Sequence, residues 1–256
     1  QEENERKPYK VEITEVTDEN GDGRIDLSDV EYLMRNKKNT MTLLEGDGDF
    51  RSPECVELLK EADIVVTNPP FSLFRDYVAL LMQYNKQFAI IGNQNAITYR
   101  EIFPLIKSNK IWLGYNNGHY WFMVPDSYEE KKTDFKIDES GQKWRRMGNI
   151  CWFTNLDIEK RHEDMTLFRT YSPDIYPKYD NYDAIEVSKT ADIPCDYDGY
   201  MGVPITFMQY YNPEQFEIAG LDDHRVEWVG HGPRLNGKVK YRRVIIRRKQ
   251  VNINEN

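Results

Sequence analysis

A chain of 256 residues, 39% hydrophobic and 30% charged, is long enough for one large domain or a domain with an appendage. No apolar run approaches the roughly 18 residues of a membrane span, and the opening Gln1-Glu2-Glu3-Asn4-Glu5-Arg6-Lys7 lacks the apolar core of a signal peptide. The net charge of -9 argues against nucleic-acid binding over the whole surface but permits a local basic face. Cys55, Cys151 and Cys195 have neither zinc spacing nor the makings of a disulfide framework, so free thiols and a cytoplasmic location are expected.

Tyr9 to Val16 alternates as a half-exposed strand. Next, Asp18, Asn20, Asp22, Asp26 and Asp29 place oxygen side chains at positions 1, 3, 5, 9 and 12 of a loop. Gly23 stands at position 6 and Ile25 at position 8. This is the calcium-loop pattern of EF-hands, with Asp in place of the usual bidentate Glu, and it also looks like a dockerin loop. A tight surface turn rich in Asp, Asn and Gly would have the same composition. The leading expectation is no metal, with calcium on these five residues as the alternative.

Asn36 to Thr40 reads as a polar connection, and Thr42-Leu43-Leu44 as a short strand ending in Glu45-Gly46-Asp47-Gly48-Asp49-Phe50. Ser52 caps a helix from Pro53 to Lys60. An apolar run, Ile64-Val65-Val66, then stops at Thr67-Asn68-Pro69-Pro70-Phe71, and a helix from Phe74 to Tyr84 follows. The prolines donate no backbone hydrogen bond and hold an extended turn at the carboxyl end of the strand. In an open α/β sheet ligands bind at that end, which makes this turn the candidate active site. Phe88 to Gly92 is a further strand, and the alternation implies parallel strands with crossover helices.

Tyr99 to Lys107 reads as a helix interrupted by Pro104. Beyond it the character turns to β, with strands expected at Ile111–Gly114, Tyr120–Val124 and Ile150–Phe153. Asp126 to Arg146 reads as a polar surface excursion, and Tyr171 to Tyr200 as ordered loops. Short strands at Val203–Phe207, Phe216–Gly220 and Val239–Arg248 complete the chain. From Arg225 the charge balance reverses, and Arg242, Arg243, Arg247 and Arg248 are the expected contacts to nucleic-acid phosphates, the alternative being a charge-defended strand edge.

Asn68-Pro69-Pro70-Phe71 between strand and helix resembles motif IV of the amino-methyltransferases, which methylate exocyclic amines from S-adenosylmethionine. An aromatic amine is a poor nucleophile because its lone pair is delocalised into the ring. The Asn68 side-chain carbonyl and the Pro69 backbone carbonyl would each accept one amino hydrogen, favouring a pyramidal nitrogen aimed at the methyl. Phe71 would stack on a base flipped out of its duplex. Asp49-Phe50 matches the acidic and apolar pair that contacts the cofactor's adenine in such enzymes.

Gly46 to Ser52, Ala62 to Arg75, Ile90 to Asn93, Asn95 to Tyr99, Trp152 to Leu156, Tyr179 to Ile185 and Gly202 to Phe207 are together similar to the EcoRI-type adenine-specific DNA methyltransferases. The resemblance implies a Rossmann-like class I methyltransferase fold of the α/β class, an irregular β-rich C-terminal part, and N6 methylation of adenine in double-stranded DNA. It departs at the start: no stretch before Gly46 reads as the family's first cofactor-binding strand, so a fragment or truncated relative is expected. The expected division is a variable segment over 1–40, a catalytic domain over 41–160 and a DNA-recognition region over 161–256. The alternatives are an RNA or protein-glutamine amino-methyltransferase, and a calcium-stabilised or inactive DNA-binding relative.

Overall fold

A computed structural model describes residues 7–35, 40–222 and 232–249. The chain divides into two compact units, Gln1–Ala62 and Asp63–Asn256. Arg225, in the basic stretch, lies outside the described residues.

The first unit runs β1 (Tyr9–Glu12), α1 (Leu27–Arg35), β2 (Thr40–Leu43) and α2 (Pro53–Glu61). β1 and β2 pair antiparallel, Tyr9 opposite Leu43, so the strand is shorter than the alternation to Val16 suggests. The expected cap of α2 is present: Ser52 Oγ accepts from the Cys55 amide at 3.3 Å, with Pro53 in the first turn. Sequence reading passed over α1, although its signal is local. The Asp26 carboxylate accepts from the Ser28 amide at 2.8 Å, and Asp29 is an acid in the first turn.

The second unit opens with β3 (Ile64–Thr67), α3 (Phe74–Gln83), β4 (Gln87–Asn93) and α4 (Phe103–Lys107). β3 and β4 are parallel, as a strand–helix–strand crossover requires. Pro104 does not interrupt α4: the helix begins at Phe103, and proline sits in its first turn, where no hydrogen bond is lost. The chain then changes direction through β5 (Trp112–Met123), β6 (Phe135–Ile137) and β7 (Lys143–Thr154), and these pair antiparallel. The resulting sheet has the order β3-β4-β7-β5, with β6 added beside β7. The ribbon takes up residues 135–137 and 143–146 of the expected polar excursion. Its rings are held under charge, with Lys136 Nζ 4.7 Å from the Trp121 ring centroid and Trp144 Nε1 donating to Asp138 at 2.7 Å.

A second sheet follows from β8 (Ala184–Glu186), β9 (Tyr200–Val203), β10 (Phe216–Asp222) and β13 (Arg243–Arg248), with β11 (Arg234–Leu235) and β12 (Lys238–Val239) forming a separate small hairpin before β13. Its order is β10-β13-β9-β8, so the basic stretch threads an interior strand whose centre, Val244-Ile245-Ile246, is fully buried. The strand expected over Val203–Phe207 ends at Val203, because Pro204 has no amide to extend the ladder. The Pro204 carbonyl accepts from the Phe207 amide at 2.9 Å, and a 3₁₀ turn runs over Ile205–Tyr210. This mixed α/β architecture, sheets interspersed with helices, is consistent with a class I methyltransferase fold.

A buried ion pair ties β8 to β13 across β9. Arg243 Nη2 lies 2.5 Å from Glu186 Oε1, with the side chains 11% and 5% exposed, and Tyr179 also donates to Glu186. Burial pushes the Glu186 carboxyl up, but the hydrogen bonds from Arg243 and Tyr179 outweigh it, so the group titrates below its ordinary 4.5. A depressed carboxyl contributes stability above its unfolded value and loses it as pH falls through the folded one. Replacing Glu186 by Ala strands the guanidinium and is expected to cost about 3–5 kcal/mol in denaturant unfolding at pH 7. As pH falls below the ordinary 4.5, the difference from the parent chain should narrow.

Candidate active site

The turn after β3 is built by what proline cannot do. The parallel ladder runs to Thr67, opposite Ile90, and Pro69 and Pro70 have no amide to carry it on. Pro69 is buried while Asn68 and Pro70 are exposed. The Pro70 carbonyl accepts from the Leu73 amide at 2.9 Å, starting the 3₁₀ turn Phe71–Leu73 that feeds α3. Within the described residues, neither the Asn68 side chain nor the Pro69 carbonyl takes part in a hydrogen bond. Two adjacent acceptors are thus left unengaged, and the Phe71 ring beside them is 40% exposed.

What holds the turn against the sheet is Phe74, the first residue of α3 and only 1% exposed. Its ring centroid lies 5.0 Å from that of Phe153 on β7. On the intervening strand, a Cβ at Gly92 would come within 2.5 Å of Phe74 Cε2. Glycine there is a packing requirement, since it opens the slot that the ring fills. At the carboxyl end of β4, Asn93 Oδ1 accepts from the Asn95 amide at 2.8 Å and caps a 3₁₀ turn over Gln94–Thr98. Arg242 reaches this segment, its Nη1 donating to Thr98 Oγ1 at 2.7 Å.

Asp49 and Phe50 belong to the first unit. Asp49 Oδ1 accepts from the Arg51 amide and Nε, and Oδ2 from Arg51 Nη2 at 2.7 Å. Those Arg51 bonds bring the carboxyl down to about 2. The Arg51 guanidinium also stands 5.1 Å from the Phe50 ring centroid.

In the Asp-rich loop the carboxylates bond to backbone. Asp18 accepts from the amides of Gly21, Asp22 and Gly23, while Asn20 and Asp22 each accept from the amide two residues on. Fully buried Asp29 closes the loop by accepting from Glu19, Asn20 and Asp26. Among the described residues, no group of three or more His, Cys, Asp or Glu is placed to hold a metal ion.

The four tail arginines have internal partners. Arg243, expected as a phosphate contact, pairs with buried Glu186. Arg247 pairs with Glu217 at 2.7 Å over the Tyr200 ring, and Arg248 donates to the Cys195 carbonyl. Arg247, Arg248 and Lys249 nevertheless line a surface cavity of about 430 Å³ with Asp198 and Glu217. A larger groove of about 750 Å³ escaped the sequence reading, because its walls come from the separate stretches 165–168, 188–191 and 204–210. It presents Lys189, Gln209 and the exposed rings of Phe168 and Tyr210, with no carboxylate among its described lining residues.

An α/β sheet carrying Asn-Pro-Pro-Phe at the carboxyl end of its parallel pair has the architecture of an amino-methyltransferase. The chain belongs to the EcoRI methylase family: the family model, described as adenine-specific methyltransferase EcoRI, matches residues 1–249. It is 51% identical over 214 residues to the type II methyltransferase M.EcoRI of Escherichia coli, covering 80% of this chain and 64% of that one. To M.MgeORF184P of Mycoplasma genitalium it is 42% identical over 240 residues, covering 86% of this chain and 75% of the relative. To M.MpnI of Mycoplasma pneumoniae it is 41% identical over 229 residues, covering 81% and 70%. The matched region is thus just under two thirds of the first relative's length. No solved structure matches the chain at comparable stringency.

Gly92→Ala is expected to push the Phe74 ring out of its slot and cost about 1–3 kcal/mol in denaturant unfolding. Combining it with Phe74→Leu should recover part of that loss.

Proposed function

We propose that this chain methylates the exocyclic N6 amine of adenine in double-stranded DNA, as in restriction–modification systems, with S-adenosylmethionine as methyl source. The observation that carries this reading is the unengaged pair of acceptors, Asn68 Oδ1 and the Pro69 carbonyl, on a turn fixed by Phe74 and Gly92. Each takes one amino hydrogen, and together they turn the nitrogen lone pair away from the ring. The rigid turn contributes orientation, which counts most where little covalent chemistry falls to the protein. Phe71 offers a face on which a flipped purine stacks, worth about 1–3 kcal/mol.

S-adenosylmethionine, when bound, supplies an electrophilic methyl. Asp49 and Phe50 fit its adenine: of the roughly four lone-pair directions of the carboxylate, Arg51 occupies three, and an amino hydrogen fits the fourth. Among the described residues β3 pairs only with β4, and Ile64 and Val66 on it are 49% and 65% exposed.

For the DNA, we assign phosphate contacts to Arg247 and Arg248, and duplex contact to the acid-free groove with Phe168, Lys189 and Tyr210. Arg242 supports the end of β4 in this reading, and Arg243 holds the second sheet.

Asn68→Ala should lower transfer of labelled methyl to duplex DNA by at least about 100-fold, with DNA binding retained. Transfer at the parental rate would overturn the reading, and preferential labelling of RNA or a glutamine peptide would redirect it. Replacing Arg247 and Arg248 by Gln should weaken binding to all duplexes alike. The slope of log affinity against log salt should flatten by about 2, and an unchanged slope would remove these residues from the interface.

A further inference from the structure

Gln94 stands where the parallel sheet ends, and it is the first residue after β4. It is 8% exposed, and its Nε2 is fully buried with no hydrogen-bond partner. Buried amide donors are rarely left unpaired, because the cost of stripping water from them is not recovered. Two other described side chains carry unpaired buried atoms, Tyr120 Oη on β5 and Arg161 Nε on the 3₁₀ turn Glu159–His162, and Gln94 is the one that follows β4, the strand paired with β3.

Its placement follows from the register. Thr67 lies opposite Ile90 in parallel pairing, so both chains leave the sheet at the same end, Asn68 after one and Gln94 after the other. The Phe74 ring against Gly92 binds the two exits together, three residues after Phe71 on one chain and two before Gln94 on the other. A donor thus stands at the exit of the neighbouring strand, at the same end of the sheet as the two acceptors. Adenine has a complementary edge: the N6 amine gives two hydrogens, and N1 and N7, which flank it, are acceptors.

We propose that Gln94 Nε2 donates a hydrogen bond to a ring nitrogen of the flipped adenine, N1 or N7. This rests on the methyltransferase reading above and extends it from holding the amine to recognising the ring. A neutral amide suits that task because it pairs with an unprotonated ring nitrogen and adds no charge beside the amine. Where the acceptor is N1, the same donor meets the N1–H of guanine as a mismatch, and Gln94 then also selects adenine over guanine, whereas N7 is an acceptor in both purines.

The test uses the full-length protein and duplexes in which the methylated adenine has been mapped, then replaced by 1-deazaadenine or by 7-deazaadenine. The parent should lose kcat/KM on one analogue by about 10-fold, the loss of one hydrogen bond. Gln94→Leu should lose a similar factor on adenine and nothing further on that analogue. Gln94→Met, close in size, uncharged and lacking the donor, gives the same readout should the leucine variant fold poorly. Equal losses on all three duplexes, with a lowered melting temperature, would mark a merely structural glutamine and overturn the proposal, as would an unchanged kcat/KM. A parent protein that methylates no adenine would overturn the methyltransferase reading itself, a result separate from either.

Discussion

The Phe74 ring in the slot above Gly92 is the contact on which the site depends. Proline ends the β3 ladder, but a stopped strand alone leaves a turn with no fixed direction. Burial of one aromatic side chain supplies that direction, and the contact with Phe153 carries it across β4 to β7. The Asn68 and Pro69 acceptors are thereby held on a surface that does not yield. Their preorganisation comes from packing remote from the atoms that would touch substrate.

The second sheet solves a different problem. A strand carrying Arg243, Arg247 and Arg248 runs between two neighbours, and its apolar centre is buried while its charged ends are each answered by a partner. Glu186 and Arg243 are deep enough that neither is tolerable alone. The Tyr179 hydroxyl shares the carboxylate, so the aromatic loop before β8 is fastened by the same group that neutralises the arginine. Positive charge in this stretch therefore does structural work first, and only the more exposed arginines remain for a polyanion.

Much of the site was legible before any coordinates. Asn68-Pro69-Pro70-Phe71, its flanking strand and helix, the Ser52 cap and the β3–α3–β4 crossover all follow from rules that act within a few residues. Those same rules contain the errors. Pro104 was read as a break because an isolated proline does not disclose where its helix begins. Pro204 ended a strand that hydrophobicity alone had extended to Phe207. The acidic cap that starts the helix after Asp26 lies inside the calcium-like spacing, so one set of residues carries both signals.

By itself, the sequence determined the end of β3, the capped start of α2 and the chemistry available at the turn, because proline geometry, capping and side-chain type are local properties. Tertiary structure decided the rest. It gave Arg243 to Glu186, placed the basic stretch inside a sheet, and drew three distant stretches into one acid-free groove. It also buried Gln94 Nε2 without a partner just past the end of β4, the strand paired with β3. These outcomes depend on which residues meet across a fold and how completely water is excluded between them, and spacing along a chain encodes neither.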